Sequence, residues 1–276
     1  MKLVLTLLVR DEEDVLAANL DFHFSHGVDF AIVTDNASVD ATPEILEAYR
    51  RSGLVEVITD RGTDYAQSRW VTRMARSAAV DYDADWVINA DADEFWCARS
   101  GDLKDALGSL APRLGGLRVP RKNMVARPGG EGPFSERMIY RDENSWHSRG
   151  APIGPKVCHR AAADITVAMG NHAFESARLG AVSDEPLLLI RHLPMRSYEQ
   201  YRRTIANGGS SLVNSDLPSE MGWHWREDFE RLEQGRLEAE YRRRTPTDAE
   251  IDDGLRDGRY VQDTWLRDRL KVVSRR

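Results

Sequence analysis

The sequence predicts an α/β fold: a mostly parallel sheet flanked by helices, followed by a charged helical appendage. Two observations predict it. Short apolar runs alternate with helical patterns over the first hundred residues, and beyond Trp225 the chain becomes charged and helical.

The first four strands are expected at Leu3 to Val9, Phe30 to Thr34, Val55 to Thr59 and Trp86 to Ala90. Helices are expected between them, from Asp14 to His26, Pro43 to Arg51 and Tyr65 to Val80. The second has Thr42 as its N-cap, Pro43 at the first helical position and Gly53 beyond its end. After Glu94 the pattern loosens. A helix from Asp102 to Leu110 leads to an apolar stretch, Leu117 to Val119, then to a Pro/Gly-rich loop, Arg127 to Pro133, expected to be exposed and mobile and to cover the acceptor side of a two-substrate enzyme. Ile165 to Met169 and Leu187 to Ile190 read as strands that run into His172 and His192, and a helix from Tyr198 to Ala206 is expected to end at Asn207-Gly208-Gly209. The division that follows is a main domain over 1–225, with halves 1–96 and 97–225, and a helical extension over 226–276.

The bulk properties exclude several classes. A formal net charge of −7 lacks the basic face that general nucleic-acid binding needs, though it admits a single nucleotide. The apolar run Leu3 to Val9 is too short to cross a bilayer and ends in Arg10-Asp11-Glu12-Glu13, so it reads as a buried strand and not as a leader or transmembrane segment. Two cysteines, Cys97 and Cys158, are fewer than a disulfide-built secreted domain carries, which favours the reducing cytoplasm. Arginines outnumber lysines 33 to five, and many lie in the C-terminal third interleaved with Glu and Asp. That is a solvated helical surface rather than a polybasic patch, and it limits any membrane role to peripheral contact with the inner face.

In an open α/β sheet, ligands sit beyond the carboxyl ends of the strands. There the sequence places Arg10-Asp11-Glu12, Asp35-Asn36, Asp60 and Asp91-Ala92-Asp93-Glu94, and four acidic strand ends in a row point to a ligand that brings cations. The fourth strand is apolar on entry and delivers two carboxylates spaced i, i+2, which share a face while the chain stays extended. Magnesium or manganese held by one or two such carboxylates keeps positions open for phosphate oxygens and can neutralise a departing nucleoside diphosphate. Asp35 can accept from ribose hydroxyls or a base N–H, or it can close a turn before the second helix. Arg69 and Lys156 are candidate counter-charges for the diphosphate. Proton removal from an acceptor hydroxyl requires a base, for which Glu136 is the first candidate, with Asp142, Glu143 and His172 as rivals.

These residues carry a resemblance. Arg10-Asp11-Glu12, Gly27-Val28-Asp29, Asp35 to Thr42 and Asp91 to Phe95 resemble, in order, the first half of a family 2-type glycosyltransferase of the GT-A fold, in the branch with an Asp-X-Asp-Glu-Phe motif. The second half is similar only at Ser135-Glu136-Arg137, Lys156, Asn171-His172 and Arg191-His192, with Ser197 and Glu199 following. The branch usually has Asn where this chain has Asp11. The resemblance implies a GT-A-like Rossmann-type sheet and transfer of a hexosyl group, with inversion, from a nucleotide-sugar donor to an acceptor hydroxyl on a glycan, lipid-linked or small-molecule acceptor. It also implies a divalent metal, Mn2+ or Mg2+, at Asp91 and Asp93 with a late histidine as a further ligand, His192 being preferred and His172 assigned to the acceptor side. Arg10, Glu12, Asp35, Asp91 and Lys156 would then bind the nucleotide-sugar, with Arg69, which lies outside the resemblance, added as the candidate counter-charge.

Two other readings compete. A sugar nucleotidyltransferase would share the sheet and metal but needs a glycine-rich loop after strand one, where this chain has Val9-Arg10-Asp11-Glu12-Glu13. A catalytically inactive sugar- or partner-binding module has no chemical need for both Asp91 and Asp93.

Overall fold

The computed structural model describes residues 1–60, 62, 67–147, 150–213 and 222–273. In chain order the strands are β1 Leu3–Val9, β2 Phe30–Asp35, β3 Val55–Thr59, β4 Trp86–Ala90, β5 Glu94–Ala98, β6 Gly116–Val119, β7 Arg121–Val125, β8 Tyr140–Asp142, β9 Lys156–Arg160, β10 Thr166–Val167, β11 Phe174–Glu175, β12 Val182–Ser183, β13 Leu188–His192 and β14 Tyr260–Gln262. The helices are α1 Leu16–Ser25, α2 Thr42–Arg51, α3 Gln67–Val80, α4 Leu103–Gly108, α5 Phe134–Arg137, α6 Tyr198–Val213, α7 Trp223–Glu233, α8 Leu237–Arg244, α9 Asp248–Asp257 and α10 Trp265–Val273. They group into two compact units. The first takes the described residues of Met1–Arg121 and Gly154–Arg191, and the second those of Lys122–Ile153 and the chain from His192 onward.

The first unit is built on a seven-stranded sheet in the order β12-β6-β9-β4-β1-β2-β3. β1 lies parallel between β2 and β4, which is why its run Leu3, Val4, Leu5 and Leu7 is apolar on both faces and fully buried. β9 runs antiparallel to both β4 and β6, so β6 points the same way as β4 and its carboxyl end reaches the same edge. Helix α3 covers one face, packing Val71, Met74, Ala75 and Ala78 against Val4, Ile32 and Val87. A polar thread crosses this core. Thr6 Oγ1 donates to Asn89 Oδ1 at 2.7 Å, Asn89 Nδ2 meets His159 Nε2 at 3.0 Å, and His159 Nδ1 meets the Arg160 carbonyl at 2.9 Å.

The four leading strands lie where the sequence expects them. Helix α2 starts one residue earlier than expected. Thr42 is inside it and Ala41 is the N-cap, without a side-chain cap bond, because the Thr42 hydroxyl instead accepts the Glu12 N–H at 2.9 Å. For α3, the expected first residues Tyr65 and Ala66 lie outside the described residues. Ile165 to Met169 forms only the two-residue strand β10 before a tight turn, Met169–Asn171.

The second unit carries the antiparallel ladder β14-β8-β7 and helices α5 to α10. The expected stop of α6 at Gly208-Gly209 does not occur, and the helix runs on to Val213. A Cβ at Gly208 would stand 1.5 Å from Trp225 Cζ3, and one at Gly209 2.5 Å from Phe229 Cβ. These glycines are therefore a contact face for α7 and not a terminator.

Candidate active site

The carboxyl edge of the parallel strands is assembled from loops that hold one another. Asp11 has φ 57°, a left-handed conformation that Asn and Asp tolerate better than other non-glycine residues, and its Oδ1 accepts the Val39 N–H at 2.7 Å. Its own N–H donates to Ser38 Oγ at 3.0 Å, while Glu13 Oε2 accepts the Ala41 N–H at 3.1 Å. Glu12 contributes its backbone to the same seam through the Thr42 bond. Asp35 closes the turn that follows β2, its Oδ1 accepting both the Ser38 N–H at 3.1 Å and the Ser38 hydroxyl at 2.6 Å. Asp60 accepts from the Gly62 N–H and from Trp70 Nε1, bonds that hold its carboxyl below the usual range, with Arg69 adding a favourable charge nearby. Asp11, Glu13, Asp35 and Asp60 thus each put a carboxylate to local structural use, while Glu12 is held through its backbone.

The fourth strand end differs. The chain does not stay extended through Asp91-Ala92-Asp93, as the i, i+2 reading supposed. It turns there, with the Glu94 N–H bonded to the Asp91 carbonyl at 3.0 Å and the Asp91 N–H to Glu94 Oε2 at 3.2 Å, and continues as β5. Asn19 on α1 fastens this turn, its Nδ2 donating to the carbonyls of Ala92 at 2.8 Å and Glu94 at 2.9 Å. His23, one turn further along α1, accepts the Trp96 N–H at Nε2, 3.2 Å away, and donates from Nδ1 to the Asn19 carbonyl at 2.8 Å.

Around the turn lies a cluster of buried charge. Lys156, first residue of β9 and 1% exposed, puts Nζ 2.6 Å from Asp91 Oδ2 and 3.2 Å from Glu94 Oε1. Arg121, which follows β6 and Pro120 off the same edge, places Nη1 3.2 Å from the same Glu94 oxygen. Burial alone would push the Lys156 ammonium toward neutrality, but the charges of Asp91 and Glu94 outweigh it and hold its pKa above the ordinary value. Lys156, expected as a counter-charge for diphosphate, is therefore already committed to two carboxylates. The second oxygen of Asp91 faces Asn171 Nδ2 at 3.5 Å. Asn171 is 1% exposed, in a left-handed conformation with φ 58°.

His172 follows. The segment that carries it is tied to α3, with the Val167 N–H donating to Thr72 Oγ1 at 2.9 Å and the Gly170 N–H to Gln67 Oε1 at 3.1 Å. Its ring lies against Gly154 and Gly170, where a Cβ would come within 3.3 Å and 2.7 Å of ring atoms. Nδ1 stands 2.6 Å from the Pro155 carbonyl, which can only accept, so Nδ1 carries the proton and Nε2 the lone pair. Desolvation, then the nearby Lys156 and Arg121 charges, outweigh the Pro155 bond and Asp91 and lower its pKa below 6.5.

Four of the remaining expected site residues belong to the second unit. Glu136 lies on α5 in the second unit, exposed and paired with Lys271 at 3.1 Å. His192 closes β13, its Nδ1 2.7 Å from Asn123 Oδ1 in that same unit. Asp142 and Glu143 also belong to the second unit, facing Arg259 at 3.6 Å and Arg141 at 2.6 Å. Arg10, in the first unit, directly follows β1 on the carboxyl edge, its Nε buried and without a hydrogen-bond partner among the described residues.

Asp91, expected as a metal ligand, does not offer its Oδ2 freely to a divalent ion as arranged. Among the described residues no three His, Cys, Asp or Glu side chains come together as a metal-ligand group, and Asp91 Oδ2 has an ammonium on it. Three residues to which sequence reading gave no role matter here. Arg121 could have been found as the first charge after a strand parallel to the fourth. Asn171 was named beside His172 in the resemblance, but only as part of its pattern. Asn19, a polar residue on the apolar side of a helix, gave no distinguishing signal.

No family model matches the sequence, and no curated protein does. Among solved structures the chain is similar to S. aureus TarS 1-349, at 16% identity over 80% of this chain and 68% of that one, with a TM-score of 0.45. The same protein in complex with UDP-GlcNAc matches at 16% identity over 80% and 69%, with a TM-score of 0.43. Glucosyl-3-phosphoglycerate synthase from Mycobacterium tuberculosis, in complex with Mn2+, UDP and glucosyl-3-phosphoglycerate, matches at 18% identity over 44% of each chain, with a TM-score of 0.32.

Proposed function

We propose that the chain is a glycosyltransferase that takes a sugar from a nucleoside-diphosphate sugar bound at the carboxyl edge of β1, β2, β4 and β6 and passes it to an acceptor hydroxyl. One observation carries the reading. Buried polar side-chain atoms rarely lack partners, yet six lack them among the described residues, and three of the six are Arg10 Nε, Arg121 Nε and Asn171 Oδ1. All three lie on the edge where an open α/β sheet binds its ligands. Two arginine nitrogens and one amide oxygen call for a ligand with both anionic oxygens and hydroxyls, as a nucleotide-sugar has.

In the proposed reaction the acceptor oxygen attacks the anomeric carbon as the bond to the diphosphate oxygen breaks, and the acceptor proton passes to His172 Nε2. The configuration inverts. His172 is preferred to Glu136 because it is neutral, fixed in the basic tautomer and in the same unit as the Asp91 turn. Arg10 and Arg121, with Arg69 nearer Asp60, meet the charge of the departing diphosphate.

The test is a melting-temperature screen with UDP, GDP, ADP and CDP, since a ligand at a hundred times its Kd adds about 2.7 kcal/mol to the folded state. One base should raise the melting temperature, and Arg10→Gln should abolish the rise. The corresponding nucleotide-sugar should then be consumed in the presence of a hydroxyl acceptor. If no nucleoside diphosphate shifts the melting temperature, the proposal is wrong.

A further inference from the structure

Buried charges are stable only when paired. Around the Asp91 turn the pairing is internal: the carboxylates of Asp91 and Glu94 face the cations Lys156 and Arg121, and Lys156 and Glu94 are 1% and 0% exposed. Both oxygens of Asp91 face nitrogen donors, Oδ2 the ammonium at 2.6 Å and Oδ1 the Asn171 amide at 3.5 Å. A divalent ion on Oδ2 would stand beside a like charge that has no route to water. Glu94 offers no alternative, since Oε1 already serves two cations and Oε2 accepts the Asp91 N–H at 3.2 Å.

We propose that Lys156 is the resident cation of Asp91, a positioning residue that holds this carboxylate neutralised and aimed, so that the first acid of Asp91-Ala92-Asp93 is not a ligand for a divalent metal. The nucleotide-sugar reading above gives this its purpose, because a donor that approaches Asp91 then meets a fixed, neutralised acceptor. The local claim can be tested without a donor.

The experiment titrates Mn2+ alone into the full chain and its variants. Wild type and Asp91→Asn should bind Mn2+ within twofold of each other, or neither should bind it. Lys156→Met, which removes the charge while keeping a long side chain, should raise Mn2+ affinity at least tenfold. Lys156→Met combined with Asp91→Asn should return it to the wild-type value. Lys156→Arg, which retains a cation, should not gain affinity. A wild type that loses tenfold or more in Mn2+ affinity on Asp91→Asn would overturn the inference, and so would a folded Lys156→Met with no gain. Should Lys156→Met fail to fold, the wild-type and Asp91→Asn pair still decides it. Failure of every nucleoside diphosphate to bind would sink the proposed function while leaving this result standing.

Discussion

At the scale of a residue, His172 shows how backbone geometry selects chemistry. The Pro155 carbonyl fixes the proton on Nδ1, and its surroundings lower the pKa below 6.5, so the ring is neutral at pH 7 with Nε2 basic. If it takes the acceptor proton, kcat/KM should fall only as the pH drops through that lowered pKa, and His172→Gln should remove this acid limb together with most of the rate. A limb centred above 6.5, or one that persists in the variant, would assign the base elsewhere. The ring also depends on its neighbours. In Gly170→Ala the added methyl would stand 2.7 Å from Cδ2 and 2.8 Å from Nε2 at φ 72°, so ring or backbone must move. Misplacement of a catalytic group by about 1 Å costs about a hundredfold, and that loss should appear in kcat with nucleoside-diphosphate affinity unchanged.

At the scale of elements, the pair α6 and α7 makes a stability prediction. Gly208 and Gly209 admit Trp225 and Phe229 so closely that Gly208→Ala cannot be accommodated without separating the helices. Overpacking of this kind costs about 1–3 kcal/mol, despite the helix propensity gained, and urea unfolding should show the loss. A more stable variant would mean that the helices are not packed in this way. The same glycines mark the limit of sequence reading, because Gly-Gly signals a helix end locally and only the facing ring shows that it is a groove. Strands β1, β2 and β4 were legible because their apolar runs are buried on both faces, and the edge strand β3 because Val55, Val57 and Ile58 still make a short apolar run. Strands β5 and β9 were not, since Glu94-Phe95-Trp96 and Lys156-Val157-Cys158-His159 mix charge with apolar residues for the sake of the ion cluster and the polar thread. At the site, the order of residues pointed to Asp91, but nothing local disclosed that Lys156, 65 positions on, would lie against it.

At the scale of the whole molecule, two buried histidines couple folding to pH. Burial holds His23 and His159 at a pKa of about 4 in the folded state, against 6.5 as the ordinary value. The unfolded chain therefore takes up protons first, and stability that is complete above pH 6.5 is lost as the pH falls toward 4. By pH 5 the loss should be about 2 kcal/mol for each histidine. Urea unfolding at pH 7.5 and pH 5 should show it, and His159→Gln should reduce the difference; equal stabilities at the two pH values would contradict the assignment. His23 also links this to the site, since the nitrogen that accepts the Trp96 N–H is the one that would be protonated. The seam of bonds from Asp11, Glu12 and Glu13 to Ser38, Val39, Ala41 and Thr42, with Asn19 on the Asp91 turn, carries a further consequence. These loops lose their conformational entropy when the chain folds, not when a small molecule arrives. A ligand at this edge has little ordering left to impose, so more of its contact energy is retained as affinity.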